Sequence, residues 1–249
     1  MPIERHSCSL ILLLLEPGKG DSLMSDISLE QEKQQRHAIE AQIAQLFAPE
    51  DDGLRQALES AKAAGLPEIQ INPIQGKLLQ VFAAASHARK ILEIGSLAGY
   101  SGIWLARALP ADGRLITLEI DPKHAEVVRA SFARAGVAER AEVRVGNALD
   151  QLSTLQTEAP FDLIFIDADK VSYPQYLEWA IKLSRSGSII IADNCVRGGN
   201  VFQPSPEMSE DTAGLVKYNQ LTREDPRLTT IVLANDNDYT DGFNVAVVK

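Results

Sequence analysis

The sequence predicts an α/β protein in which a doubly wound, mostly parallel β-sheet carries helices on both faces. From Lys90 onward, short apolar runs alternate with segments of helical periodicity, which is the pattern of successive strand–helix–strand units. Near the carboxyl terminus this alternation stops, and two strand-like runs follow each other with only a polar turn between them. That arrangement favours an antiparallel addition at one edge of the sheet.

Three extra helices are expected before the first strand, over residues 29–47, 52–64 and 74–85. The first has a polar surface with apolar residues on one side, namely Ile39, Ile43, Leu46 and Phe47. We expect these helices to pack over one edge of the sheet.

Seven strands follow from the pattern of apolar runs. Their expected positions are 90–94, 114–119, 141–145, 161–167, 187–193, 228–233 and 242–248. A helix is expected in each connection between the first five strands, and another over residues 211–224. The polar turn at residues 234–238 would join the last two strands.

The composition fits one sizeable globular core. The chain has 249 residues, of which 45% are hydrophobic and 23% are charged. Its formal net charge of -10 disfavours general attraction to nucleic acid or to anionic membranes. The two cysteines, Cys8 and Cys195, match no disulfide or metal-binding framework, and none of the four histidines lies in a zinc motif. We therefore expect a cytoplasmic protein without a membrane partner.

Residues 1–28 are expected to be a disordered or non-native extension. The apolar run at residues 9–15 is too short to span a bilayer, and the segment after it lacks a small-residue cleavage site. Met24 is an alternative natural start. Residues 29–249 are expected to form a single domain, with helices over 29–86 and the sheet over 87–249.

Two neighbouring strand ends carry side chains with oxygen donors. Asp167 ends the apolar run that begins at Phe161, and Asp193 and Asn194 end the next one. The carboxyl ends of parallel strands meet at the same edge of a sheet, where α/β proteins bind ligands. Carboxylate and amide oxygens suit a hard divalent cation, so we predict a metal site of Asp167, Asp193 and Asn194, with Mg²⁺ favoured over Mn²⁺ or Ca²⁺.

A glycine turn follows the first strand. Gly95, Gly99 and Gly102 have the spacing Gly-x-x-x-Gly-x-x-Gly, which differs from the dinucleotide fingerprint Gly-x-Gly-x-x-Gly. Glu93, just before the turn, would repel a phosphate and attract an ammonium group, directly or through water. The turn therefore favours a ligand without a pyrophosphate.

The next two strand ends indicate a nucleoside. Glu119 is placed to accept both hydroxyls of a ribose, and Ala148 follows the third strand where an adenine would lie. A ligand with an adenosine part and an amino acid part but no phosphate is S-adenosylmethionine. We predict this cofactor.

These motifs resemble the class I methyltransferases, and within them the cation-dependent O-methyltransferases related to caffeoyl-CoA and catechol O-methyltransferases, in their bacterial form. The resemblance spans residues 71–249 and is carried by LEIGSLAGYSG, LITLEIDP, FDLIFIDADK, IIIADN and DGFNVAVV. It implies a Rossmann-like, seven-stranded sheet and a homodimer. The implied cofactor contacts are Glu93, Gly95, Ser96, Ser101, Glu119, Ala148 and Asp169.

The resemblance also implies a catalytic role for Lys170 and for Asp167, beside the metal. A phenol has a pKa of about 10, so little phenolate exists at neutral pH. A cation that binds two neighbouring substrate oxygens favours loss of the proton and fixes one oxygen behind the methyl group. Lys170, close to the positive metal, would accept that proton. The expected substrate is a small vicinal dihydroxy aromatic, either a catechol or a caffeoyl-type phenol.

Other interpretations remain open at this point. Lys170 could be an ordinary surface lysine, Asn194 a turn residue and Cys195 a packed thiol. The chain could instead methylate a hydroxylated uridine in tRNA, or be a non-catalytic or NAD-using protein of the same fold. Selectivity is expected in residues 68–77 and 196–204. Arg197, Gly198 and Gly199 stand where plant enzymes have a Trp-Asn pair, which puts coenzyme A esters in doubt.

Overall fold

The structure is a computed structural model that describes residues 20–234 and 240–249, with side chains from Glu30 onward. The chain divides into two units, residues 1–40 and 41–249. The predicted boundary after residue 28 therefore falls inside the first unit. Residues 1–19 of the predicted extension, and most of the predicted turn at 234–238, lie outside the described residues.

The helices and strands are the following. The α-helices are α1 Gly20–Phe47, α2 Asp52–Ala63, α3 Pro73–Ala85, α4 Tyr100–Ala108, α5 Pro122–Arg134, α6 Ala148–Thr154, α7 Tyr173–Lys182 and α8 Glu210–Glu224. The strands are β1 Lys90–Ile94, β2 Arg114–Glu119, β3 Ala141–Val145, β4 Phe161–Ile166, β5 Ser184–Ala192, β6 Leu228–Ala234 and β7 Gly242–Val248. Two 3₁₀ turns, Lys170–Ser172 and Arg197–Phe202, follow β4 and β5.

The seven strands form one sheet in the order β3-β2-β1-β4-β5-β7-β6. The first five are parallel, β7 runs antiparallel to β5, and β6 runs antiparallel to β7. The predicted doubly wound, mostly parallel sheet with an antiparallel edge is thereby confirmed. After β1 the chain continues to one side of the sheet and after β4 to the other, which leaves a crevice between these two strands at their carboxyl ends.

Alternate strand residues face two separate apolar layers. On one face Ile91 and Phe165 pack beneath α2, α3, α4 and α5, and on the other Leu92 and Ile164 pack beneath α6, α7 and α8. The period of two along each strand assigns successive side chains to opposite faces. Both faces of β1, β2, β4 and the second half of β5 are buried, so these segments read as largely apolar runs, whereas β3 at the sheet edge is only partly buried.

The amino-terminal helices differ from the sequence-based expectation in two ways. Helix α1 begins at Gly20, nine residues before the expected start. Helices α2 and α3 pack mainly on α5 and α4. At the end of α1, Ile43, Leu46 and Phe47 remain 41%, 72% and 69% exposed, so their apolar face is not buried against the sheet.

Short capped turns fix the loops at the carboxyl edge of the sheet. The side chain of Asp121 caps α5, that of Asn147 caps α6, and that of Asp169 caps the turn after β4. Each cap satisfies a backbone N–H that the start of a helix leaves free. The loops that follow β2, β3 and β4 are thus held in place by their own sequence. Within the described residues, no helix is long and apolar enough to cross a membrane.

Candidate active site

A cavity of about 810 Å³ lies at the carboxyl edge of the parallel strands. Its wall is formed by the glycine turn after β1, the ends of β2 and β3, the turn after β4, and the loop after β5. This is the crevice at which the strand order reverses, the usual ligand site of an open α/β sheet.

Gly95 permits the two central strands to approach each other at this crevice. Its φ of +94° lies in the region that favours glycine. A Cβ atom at this position would lie 2.0 Å from the carbonyl oxygen of Asp167, so no other residue fits without moving the backbone. The N–H of Asp167 in turn donates to the carbonyl of Ile94 at 2.8 Å. The glycine turn and the acidic end of β4 are therefore one rigid unit.

Glu119 holds the glycine turn from the side. Its Oε2 accepts hydrogen bonds from the N–H groups of Ser96 at 3.3 Å and Leu97 at 3.0 Å, and its Oε1 accepts from the N–H of Asp121 at 3.0 Å. The residue is 6% exposed and lines the cavity. Oε2 already accepts two hydrogen bonds, whereas Oε1 accepts one and has room for a second. Glu119 can thus orient the turn and still accept a ribose hydroxyl.

Glu93 lies beneath the turn and outside the cavity wall. It is fully buried, its Oε1 accepts a hydrogen bond from Ser101 Oγ at 2.6 Å, and its Oε2 has no hydrogen-bond partner. Burial raises the pKa of Glu93 to about 7, with smaller contributions from the carboxylates of Asp167 and Glu119. Glu93 supports Ser101 from behind the cavity lining, and its contact with the cofactor, directly or through water, stays a prediction.

Asp169 is held with one carboxylate oxygen on each of two partners. Oδ1 accepts the N–H of Ser172 at 3.0 Å and Oδ2 accepts the hydroxyl of Tyr176 at 2.5 Å. Burial raises the pKa of Asp169, but these hydrogen bonds outweigh it and keep the pKa below its ordinary value. Asp169 is thus a fixed negative charge in the cavity wall, suited to the ammonium group of an amino acid.

Lys170 is not a solvated surface lysine. Its Nζ donates to Asp167 Oδ1 at 2.8 Å and to the hydroxyl of Tyr173 at 2.9 Å, and its side chain is 13% exposed. Tyr173 is fully buried and donates in turn to the carbonyl of Ile166 at 3.2 Å. The amine is therefore positioned at the cavity wall beside Asp167.

Asp193 and Asn194 follow β5 next to this pair. Asp193 is 6% exposed, lies just behind the cavity lining, and accepts the N–H of Asn194 on Oδ1 at 2.6 Å. Burial and then the neighbouring Asp167 carboxylate raise the pKa of Asp193 well above its ordinary value. Asn194 lines the cavity in a left-handed conformation, with φ of +60°.

These three residues fit a hard divalent cation. The candidate ligands are two carboxylates and one amide. Among residues 20–234 and 240–249, no group of three or more His, Cys, Asp or Glu side chains is arranged to hold a metal ion. All of the candidate donors are oxygen atoms, as Mg²⁺ prefers. A cation there would also relieve the repulsion between Asp167 and Asp193 that opposes ionisation of the latter.

The structure brings most of the predicted site residues together. Nine line the cavity: Gly95, Ser96, Ser101, Glu119, Ala148, Asp167, Asp169, Lys170 and Asn194. Glu93 and Asp193 lie directly behind it. Cys195 is fully buried and burial raises its pKa, which agrees with a packed thiol.

The cavity is also lined by three residues that were not predicted from the sequence, His124, Asp211 and Asp241. Of these, Asp241 had a signal in the sequence. It directly precedes the last strand, which an antiparallel neighbour would bring next to the end of β5. Within the segments expected to set selectivity, Gln70, Ile71 and Arg197 do line the cavity.

The doubly wound sheet, with its glycine turn and its crevice at the carboxyl ends of the strands, has the architecture of a class I methyltransferase. A sequence model of the O-methyltransferase family matches residues 46–244, so the chain belongs to that family. It is an S-adenosylmethionine-dependent O-methyltransferase.

Named relatives and solved structures agree with this assignment. The catechol O-methyltransferase of Niastella koreensis is 44% identical over 85% of this chain and 97% of its own length. That of Mycobacterium tuberculosis is 44% identical over 85% and 95%. The O-methyltransferase of Bacillus cereus in complex with SAH superposes with a TM-score of 0.82 at 42% identity, covering 87% of this chain and all of the other. TomG of Streptomyces achromogenes in complex with SAM gives 0.83 at 38% identity, covering 88% and 99%.

Proposed function

We propose that this protein transfers the methyl group of S-adenosylmethionine to one hydroxyl of a small catechol, with a divalent cation held by Asp167, Asp193 and Asn194. The observation that carries the proposal is the placement of Lys170. Its amine lies 2.8 Å from Asp167 at the wall of the cofactor cavity, beside the oxygen-bearing side chains that follow β4 and β5.

The chain's own residues explain how the two reactants would be aligned. Glu119 can accept a ribose hydroxyl on Oε1, Ala148 borders the adenine position, and Asp169 offers a fixed charge to the ammonium group. The reacting methyl group would then point toward Asp167 and Lys170. Holding both reactants in line provides much of the rate enhancement in such a transfer.

Proton removal falls to Lys170 in this proposal. A bound cation would supply Lewis acidity that favours the ionised phenol. Asp167 and Tyr173 hold the Lys170 amine at 2.8 Å and 2.9 Å, so the amine is already oriented when a hydroxyl arrives. General-base assistance of this kind contributes roughly 100- to 10,000-fold to the rate. The printed names of the two catechol O-methyltransferase relatives support the choice of a vicinal diol.

A product assay tests the proposal. Purified protein is incubated with labelled S-adenosylmethionine and a panel of catechols, caffeoyl-type phenols and matched monophenols, with Mg²⁺ or with excess EDTA, and the products are separated by mass. We expect methylated catechols only with metal, and loss of activity in Asp193→Asn. Asp150→Asn changes an exposed carboxylate on α6 and is the matched control.

Two results would contradict the proposal. Full activity in excess EDTA would exclude a role for the metal. Transfer of label to bulk tRNA without any methylated catechol would assign a different substrate. The charge of -10 weighs against tRNA.

We also propose a cytoplasmic homodimer. Leu46 and Phe47 expose apolar surface at the end of α1 that a second copy would cover, and Cys195 is a free, buried thiol. Light scattering after size exclusion is expected to give the mass of a dimer and, for Leu46→Ser/Phe47→Ser, that of a monomer. A monomeric unchanged protein would refute the dimer.

A further inference from the structure

Asp241 lies where the antiparallel edge of the sheet meets the candidate metal site. Strand β7 pairs with β5 so that Asn244 lies opposite Ala192. Residues that precede β7 are therefore brought beside residues that follow β5. Asp241 lines the same cavity as Asn194, although 46 residues separate the two in the sequence.

The carboxylate of Asp241 accepts four hydrogen bonds. Its Oδ2 accepts from Asn194 Nδ2 at 2.9 Å. Its Oδ1 accepts the N–H groups of Gly242 at 2.8 Å, Arg197 at 3.1 Å and Val196 at 3.2 Å. One side chain thus ties the start of β7 to the loop that carries Asn194.

These hydrogen bonds decide which end of the Asn194 amide faces the cavity. The oxygen and nitrogen of an amide side chain are close to equivalent in shape, and only their partners fix the orientation. An ionised carboxylate accepts hydrogen bonds and donates none, so the group that faces Asp241 must be the NH₂. The Oδ1 of Asn194 is then directed away from Asp241 and is free to act as a metal donor.

The same contacts hold a loop in an unfavourable backbone conformation. Asn194 has a φ of +60° and Arg197 a φ of +45°, which non-glycine residues adopt rarely. Strain of this kind persists where surrounding contacts oppose its release. The N–H groups of Val196 and Arg197, both bound to Oδ1 of Asp241, provide such contacts within the loop.

We propose that Asp241 is a positioning residue for the metal, acting through Asn194: it fixes the amide so that Oδ1 is presented to the cation. This inference rests on the proposed function, because it requires that Asn194 binds a metal. Asp241 itself is not assigned as a ligand, because it forms no metal-holding group with Asp167 and Asp193 in the described part of the chain, and its Oδ1 already accepts from three N–H donors.

An exchange of the two side chains tests this role. In Asp241→Asn an NH₂ group would face the NH₂ group of Asn194, so the amide of Asn194 must turn over and present its nitrogen to the metal. We expect Mn²⁺ to bind about 10- to 100-fold more weakly, as measured by titration calorimetry of the full chain. In the exchange variant Asn194→Asp/Asp241→Asn, position 194 again accepts from position 241 and offers an oxygen to the cation. We expect the affinity for Mn²⁺ to return to within a few fold of the unchanged protein.

Binding of S-adenosylmethionine is the control, because a general loss of structure would weaken both ligands. We expect its dissociation constant to change less than twofold in both variants.

Unchanged Mn²⁺ affinity in Asp241→Asn would overturn the inference while leaving the metal site intact, and so would an exchange variant that binds Mn²⁺ no better than Asp241→Asn. Should Asp241→Asn fail to fold, the exchange variant alone decides: weak Mn²⁺ binding by a folded exchange variant would overturn the inference. Failure of the unchanged protein to bind Mn²⁺ would overturn the metal proposal and this inference together.

Discussion

Replacing Glu93 with glutamine is expected to stabilise the protein, and to do so increasingly as the pH rises. Glu93 is fully buried, and burial is the main reason that its pKa stands at about 7. Glutamine keeps the shape of the side chain and the acceptor for Ser101 Oγ, but it has no charge to bury. The variant therefore removes the cost of ionising this group in the folded protein.

The size of the effect follows from the two pKa values. In the folded protein Glu93 keeps its proton up to about pH 7, whereas an unperturbed glutamate has a pKa of 4.5. A raised pKa of an acid gives stability that is fully present below pH 4.5 and is lost as the pH rises through about 7. At about 1.4 kcal/mol for each pKa unit, the loss amounts to about 3 kcal/mol, most of it between about pH 5 and pH 8.

Urea denaturation of the metal-free protein at about pH 5 and pH 8 measures this effect. The free energy of unfolding of Glu93→Gln minus that of the unchanged protein is expected to grow by about 2 to 3 kcal/mol between the two pH values. Contributions from other groups, including Asp193, cancel in this difference. Glu126→Gln, an exposed change on α5, should alter stability by less than about 0.5 kcal/mol at either pH. A difference for Glu93→Gln that is independent of pH would refute the reasoning.

Three further changes address the cavity itself. Gly95→Ala should abolish binding of S-adenosylmethionine in a calorimetric titration, because its Cβ would lie 2.0 Å from a backbone oxygen; normal binding would show that the turn is not as tight as described. Lys170→Met should lower turnover roughly 100- to 10,000-fold while Mn²⁺ affinity is retained, since the lysine is not a ligand; unaltered turnover would exclude it as the base. Glu119→Gln should weaken S-adenosylmethionine binding by roughly tenfold, because the amide oxygen stays with the N–H groups of Ser96 and Leu97 and the NH₂ group replaces the acceptor Oε1; an unchanged dissociation constant would exclude its ribose role.

The centre of the sheet was predictable because both faces of its inner parallel strands are buried, and such strands appear in the sequence as apolar runs. The runs that end at Asp167 and Asp193 are of this kind, and the rule that parallel strands share a carboxyl edge was sufficient to bring those residues together. The expectation for α1 was less successful. Its periodic Leu46 and Phe47 indicated a buried face, but periodicity cannot tell burial in the same chain from a face left at the surface.

Two features of the site depended on contacts between distant parts of the chain. The alternation of side chains along β1 directs Glu93 toward the layer of helices and away from the cavity. Glu93 therefore lies beneath Ser101 and behind the cavity wall. Its place just before the glycine turn could not show which face it takes. Asp241 meets Asn194 only through the antiparallel pairing of β5 with β7, and a register of this kind is not encoded by local pattern.

The central claim is that one cavity holds a divalent cation on Asp167, Asp193 and Asn194 beside the methyl donor. Crystals of the protein grown with Mn²⁺ and S-adenosylhomocysteine, with anomalous scattering measured at the manganese edge, test it most directly. We expect one anomalous peak for a manganese ion that is bound by oxygen atoms of those three side chains and faces the cavity. Saturating Mn²⁺ that leaves these side chains without a peak, or that binds elsewhere, would contradict it.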